Sequence, residues 1–415
     1  MARRWSTLGA VAVVALAGAR VSGETIDATA TTLLSGHADV RDGRTYTVVP
    51  AYESLSLLAS DLKVPYLQDV EVVMRAWGEA VFQEGSIPVD GDLDAAYLRG
   101  RFYKRHFEFQ LGRQLVIGGA ARVTQMDGLT LTGLAPHGFG VTLYGGVPVT
   151  PHFSVHRGDG MVGARAFWRH SIATELGVSI IDITDRGLAN RFDLGFDGRV
   201  AAAPTLVFDA MAIFSLIEYR FAEAQAAATW APIRAIEVSG DAHHTAPDLF
   251  LPRTSIFSVF SNETHDEYGG RFLVRAIRWL RIAGDYHFIS SSAGTGHRGG
   301  AKATLSPSSG TTVGVELREL SQTSTGGYFQ SRLFGIQRVA PTLTVTLDTD
   351  FFVLERPLNG QNTSFTAAGT VGWDFSPGWR LVLSGLADRT PFYAWNFEAM
   401  AKLVFNHTWR VRRTQ

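Results

Sequence analysis

Apolar and polar residues alternate along most of this chain with a period of two. In PTLTVTLDTDFF, Leu343, Val345 and Leu347 fall on one side, and Thr344, Thr346, Asp348 and Asp350 on the other. Successive side chains of a strand point to opposite faces, so such a run predicts a strand with one apolar and one polar face. TSFTAAGTVGWDF sets Phe365, Ala367, Gly369, Val371, Trp373 and Phe375 against Thr366, Thr370 and Asp374. TTVGVELREL opposes Val313, Val315 and Leu317 to Glu316 and Arg318, and HFEFQLGRQL opposes Phe107, Phe109 and Leu111 to Glu108, Gln110 and Gln114. AAYLRGRFY opposes Tyr97, Arg99 and Arg101 to Leu98, Gly100 and Phe102. Runs of this kind recur from Thr45 to Arg410. Helical stripes are scarce. The Ala-rich EYRFAEAQAAATW, residues 218–230, reads either as a helix or as a strand.

The linkers between runs carry turn chemistry. In the last third they alternate in size. SPSSG (306–310), VAP (339–341) and SPGW (376–379) are short and contain proline. SSSAGTGHRGG (290–300), SQTSTGG (321–327), LERPLNGQN (354–362) and DRTPFYAW (388–395) are longer and polar. A meander of hairpins whose two ends face different compartments has this asymmetry. The longest gap between clear strands, 244–268, contains DLFLPRTSIFSVFSN. Its polar face is spoiled by Phe260, and Pro252 removes a ladder donor. It is expected to be a long loop that shelters Leu249, Phe250, Leu251, Ile256, Phe257 and Phe260, either inside a barrel mouth as a constriction or against a partner.

The N-terminus changes the picture from fold to address. MARRWSTLGAVAVVALAGARVSGET opens with Arg3 and Arg4, continues with an apolar stretch from Leu8 to Ala17 and ends in small residues. That is the layout of a signal peptide, expected to span 1–23, and it is too short to cross a bilayer. Residues 24–44 are then expected to form a short periplasmic segment, 45–411 the strand-rich body and 412–415 a tail. No later stretch is long and apolar enough for a transmembrane helix.

Composition removes whole classes of function. The chain has 415 residues and a formal charge of −1, so no basic field points to nucleic acid. It has no cysteine, which excludes a disulfide framework, a thiolate metal site and a cysteine nucleophile. No phosphate loop, zinc motif or dinucleotide fingerprint is present, and no cofactor is expected. His170 beside Ser171, and His243 beside His244, look like chemistry. Neighbouring strand residues diverge, however, so neither pair can easily share a proton or a metal. No enzymatic constellation emerges.

Taken together, the periodic strands, the unequal hairpin ends, the export signal and the lack of cysteine resemble bacterial outer-membrane β-barrels of the porin-like kind. FQLGRQ (109–114) and GFGVTLYGG (138–146) are similar to strands of such barrels. The resemblance implies an all-β, transmembrane antiparallel meander β-barrel. About 21 strand-like runs can be counted, and because such barrels have even strand numbers the expectation is about 20, within roughly 18–22. It also implies an outer membrane of a Gram-negative cell, with the lipid bilayer, the insertion machinery and small hydrophilic solutes as partners. The chain departs from the pattern at its last residues, Thr414 and Gln415, where an aromatic residue is usual. The physics agrees with the resemblance, because lipid cannot satisfy backbone polar groups and strands can span it only as a closed sheet. A passive channel for small hydrophilic solutes or for export is the reading favoured here. A plugged or narrow barrel with a structural, adhesion or surface-assembly role is the alternative, and a membrane-embedded hydrolase the third. The inward-facing charges Arg75, Arg99, Arg101, Arg165, Arg169, Glu316, Arg318, Asp348, Asp350 and Arg380 are the candidate pore lining.

Overall fold

The computed structural model describes residues 25–41, 44–83, 85–149, 158–249, 264–292, 294–323, 326–392 and 395–410. Among them, 22 strands form a single sheet. In chain order they are β1 (Thr25–Arg41), β2 (Arg44–Leu62), β3 (Gln68–Phe82), β4 (Val89–Phe102), β5 (Phe107–Ile117), β6 (Val123–Leu134), β7 (Phe139–Pro148) and β8 (Gly160–Ser171). Then come β9 (Thr174–Asp185), β10 (Leu188–Ala203), β11 (Leu206–Ser215), β12 (Arg220–Ile233), β13 (Ile236–Thr245), β14 (His265–Ile277) and β15 (Leu280–Ser291). The last are β16 (Gly294–Ser308), β17 (Thr311–Gln322), β18 (Tyr328–Ala340), β19 (Leu343–Leu358), β20 (Gln361–Ser376), β21 (Trp379–Arg389) and β22 (Asn396–Arg410). Each strand pairs antiparallel with its chain neighbours, and β1 pairs with β22, which closes the barrel. Closure leaves no sheet edge exposed to lipid, the condition for a strand protein to cross a membrane. No helix among the described residues is long and apolar enough to cross one.

Three expectations change. Residues 24–44 were expected to precede the barrel, but β1 occupies Thr25–Arg41. Its outward face, Ile26, Ala28, Ala30, Thr32 and Leu34, carries two alanines and a threonine between its bulkier ends, so its apolar signal is weak. Closure decides the matter, because β22 would otherwise keep a free edge. Of the two readings open for 218–230 the strand holds: Glu218 and Tyr219 lie in the turn, and 220–230 belong to β12 and pair with β11. The segments 290–300 and 354–362 are mostly strand rather than loop. At the second, Leu358 pairs with Gln361 across Asn359 (φ 48°) and Gly360 (φ 77°), the positive-φ pair that a tight hairpin requires.

The two ends of the barrel differ as the linkers predict. At one end the turns are short, as at 309–310, 341–342 and 377–378. At the other the connections include 149–159, 246–264 and 390–395. Outward residues are apolar and exposed, among them Leu111, Leu129, Leu143, Val178, Phe196, Val315, Leu333, Leu347, Val371 and Leu383. Near the short-turn end, Trp168, Trp230, Trp279, Trp373, Trp379 and Trp409 form a girdle, and the Trp379 ring lies 4.6 Å from that of Phe405. Apolar belt and aromatic girdle together are the outer dress of a membrane barrel.

One seam is short. The β4–β5 ladder stops at Ala96 opposite Arg113, while β3–β4 and β5–β6 continue. The freed β4 carbonyls are taken by side chains. Arg113 Nη1 donates to the Leu93 carbonyl (2.9 Å) and Gln125 Nε2 to that of Asp94 (2.5 Å). Asp92 and Asp127 hold Arg113 at 2.9 and 2.8 Å.

Candidate functional site: the lumen

The inward side of the wall is fixed by one loop. Between β5 and β6, residues 118–122 leave the wall and touch β9, β10 and β11, which only a path across the lumen allows. Gly119–Ala121 make a single 3-10 turn, with Ala120 and Ala121 fully buried. The Ala120 N–H donates to Ser179 Oγ (2.7 Å), and Arg191 Nη2 donates to the Ala120 carbonyl (3.1 Å). Arg122 Nε lies 2.5 Å from Glu223 Oε2, and His243 Nε2 sits 3.1 Å from the other oxygen of that carboxylate. Val116, Met126, Tyr144, Met161, Ile181 and Ile183 pack around the two alanines. Glycine makes the approach feasible. Gly119 has φ +54°, and a Cβ there would lie 2.0 Å from Ser179 Oγ; a Cβ on Gly195 would lie 2.2 Å from the Ala120 nitrogen.

This inserted loop is a narrowing that the period-two pattern does not reveal. The only visible signal is GGAA at 118–121, two glycines and two small residues in a hairpin linker. Of the expected constriction, Leu249 ends the 3-10 turn Pro247–Leu249, and Asp248 pairs with Arg220. Phe250, Leu251, Ile256, Phe257 and Phe260 lie outside the described residues, as do the expected signal peptide and tail.

The ten candidate lining residues all fall on the lumen side, and most are drawn into three ion-pair groups. On β3–β5, Arg99 reaches Glu71 and Glu108 (both 3.0 Å), and Arg101 reaches Glu108 (2.6 Å) and Asp69 (3.2 Å). On β8–β10, Arg165 is forked onto Asp197 and also meets Glu175 (2.7 Å), which Arg169 shares. On β16–β19, Glu316 is buried and faces three cations: Arg318, Lys302 (3.4 Å) and Arg332 (3.8 Å). Arg332 also binds Asp348 and lies 4.0 Å from Asp350. Two of the ten stand apart. Arg380 meets only Asp374, at 3.7 Å near the short-turn end, and Arg75 makes no ion pair among the described residues. The period-two reading missed the acids that answer these cations, Glu71, Asp197 and Glu175. Their partners are set by cross-strand register, which a single strand does not reveal.

Most charges meet an opposite charge, as a low-dielectric wall requires. They are nevertheless wet. The side chains of Arg298, Lys302, Arg318 and Arg332 keep 36–42% of their surface exposed inside the barrel. A cavity of about 480 Å³ along β13–β17 is lined by Arg271, His287, Arg298, Lys302, Glu316 and Arg318, among others. His243 and His244 diverge as strand neighbours must. His243 turns inward to Glu223, and His244 turns outward to Asp266 at 2.7 Å. No group of three or more metal-type ligands occurs among the described residues.

The fold is a closed antiparallel meander β-barrel of 22 strands among the described residues. No family model matches the chain, and no curated protein does. Among solved structures it is similar to Pseudomonas aeruginosa OccK7 (OpdD), with a TM-score of 0.47 and 9% identity over 94% of this chain and 99% of that one. It is also similar to P. aeruginosa OpdQ, with a TM-score of 0.45 and 9% identity over 93% and 99%. For P. aeruginosa OpdK with vanillate the TM-score is 0.46, at 10% identity over 93% and 99%. Likeness this distant concerns the fold alone.

Proposed function

We propose that this protein is a passive outer-membrane channel for small hydrophilic solutes, exported by a signal peptide over 1–23 and placed by the outer-membrane insertion machinery. The observation that carries the reading is the wet, charged inner face of a closed 22-strand wall. Strands about 4.8 Å apart and tilted by about 40° give a wall about 140 Å around, too wide for side chains alone to fill. A filled barrel would bury its inner charges; half-exposed guanidinium groups call for water. Solutes pass the inserted loop at 118–122 and the charged wall of β8–β10 beside it. There Arg165 and Arg169 alternate with Glu175 and Asp197, so the local field sorts solutes by charge. The ten candidate lining residues, spread around the wall, extend this charged lining along the lumen.

Swelling of liposomes loaded with the purified barrel tests the reading. Swelling rates that fall as the sugar outside grows larger support a sieving pore. Liposomes that swell no faster than empty ones contradict it.

A further inference from the structure

The lipid-facing wall has a trough in it, and its floor is written in the register. Trp168 stands opposite Leu176, which stands opposite Gly198. From there the outward row continues across the strands through Ala210, Ala226 and Ala242, and Tyr268 closes it. In the next row toward the loop end, Ala212 and Ala224 lie between Phe196 and His244. Small side chains between bulky ones leave a depression, and it measures about 1140 Å³. From Leu176 to Tyr268 the row crosses five strand spacings, about 24 Å. The trough is continuous with the apolar belt on both sides. Its only outward ionic pair among the described residues, His244 with Asp266 at 2.7 Å, sits at the loop end beside the half-exposed Tyr268.

We propose that this trough binds one phospholipid, with its head group at Tyr268, His244 and Asp266 and an acyl chain lying across β9–β13. The chemistry selects a lipid rather than a protein. The floor offers no polar group or ridge for a partner to read, and the surface around it already faces hydrocarbon. An acyl chain restores the van der Waals contacts that the missing side chains leave open. The head group meets a phenol and an imidazole–carboxylate pair at the level where a membrane barrel carries its amphipathic residues. The inference rests on the membrane placement proposed for the channel.

The test uses the full barrel reconstituted in bilayer discs of phosphatidylethanolamine and phosphatidylglycerol, released into detergent and examined by native mass spectrometry. The parent retains a bound phospholipid after washing. Ala210→Leu with Ala226→Leu fills the floor and loses it, and Ala226→Leu alone weakens retention. Ala301→Leu, on the lipid-facing row of β16 between Gly284 and Leu317, keeps it. Heat-dependent gel mobility reports that each variant is folded. Equal retention in all four barrels, no retention in the parent, or a dimer in place of the lipid would each overturn the proposal. A barrel that stays in the aqueous fraction would instead remove the membrane reading beneath it.

Discussion

Gly119 is the residue on which the inner geometry turns. Its φ is positive and a Cβ there would lie 2.0 Å from Ser179 Oγ, which leaves no room for a side chain. Gly119→Val should therefore drive the loop out of the lumen, at a cost of about 1–3 kcal/mol in local strain if it stays. Single-channel conductance should rise above the parent value; an unchanged conductance would show that the loop does not narrow the path. Glu316 carries the second residue-scale prediction. It is the carboxylate on which Lys302, Arg318 and Arg332 converge. Glu316→Gln leaves those cations less compensated, so the reversal potential in a KCl gradient should shift toward anions, most clearly at low salt, where screening is weak. A shift toward cations, or none at low salt, would place Glu316 outside the ion path. At this scale the sequence was partly legible. Which side Arg99, Arg165, Glu316 and Asp348 face follows from parity alone. The contact between Ala120 and Ser179 does not, because it joins uncharged residues far apart in the chain and leaves no periodic trace.

Among the elements, β19 is a clear test of the outward face. Leu347 is exposed between Gly335 and Gly369, four residues in from Leu343, which pairs with the girdle residue Trp373. Leu347→Arg should cost about 2–4 kcal/mol of folding stability in a bilayer, the penalty for a cation near the midplane. Urea titration of the vesicle-folded barrel measures it, and a neutral result would mean that the residue does not face lipid. The short β4–β5 seam makes a different prediction. Arg113→Ala leaves the Leu93 carbonyl without its donor, and about 1–3 kcal/mol should be lost. Arg113→Lys should recover only part of that loss, since a single ammonium cannot meet Asp92, Asp127 and the carbonyl together with the same geometry. Element by element, the strong alternators β5, β17, β19 and β20 stand where the pattern puts them. β1 was hidden because alanine and threonine alternate without contrast. The tails of β16 and β19 were hidden because strands that outrun the membrane no longer need an apolar face.

For the whole molecule, closure is the organising fact. Pairing of β1 with β22 satisfies the last backbone edge, sets the count at an even 22 and separates an apolar exterior from a charged interior. The even number and the meander follow from alternation and from the physics of a lipid solvent. The width does not, since it depends on how many weak runs are strands. The central claim is that the interior conducts. The direct measurement is current through a planar bilayer carrying the purified barrel, first shown to be folded by its heat-dependent gel mobility. Discrete current steps that scale with KCl concentration, and that are larger in Gly119→Val, are the predicted result. A folded, membrane-inserted barrel that passes no ionic current would contradict the account.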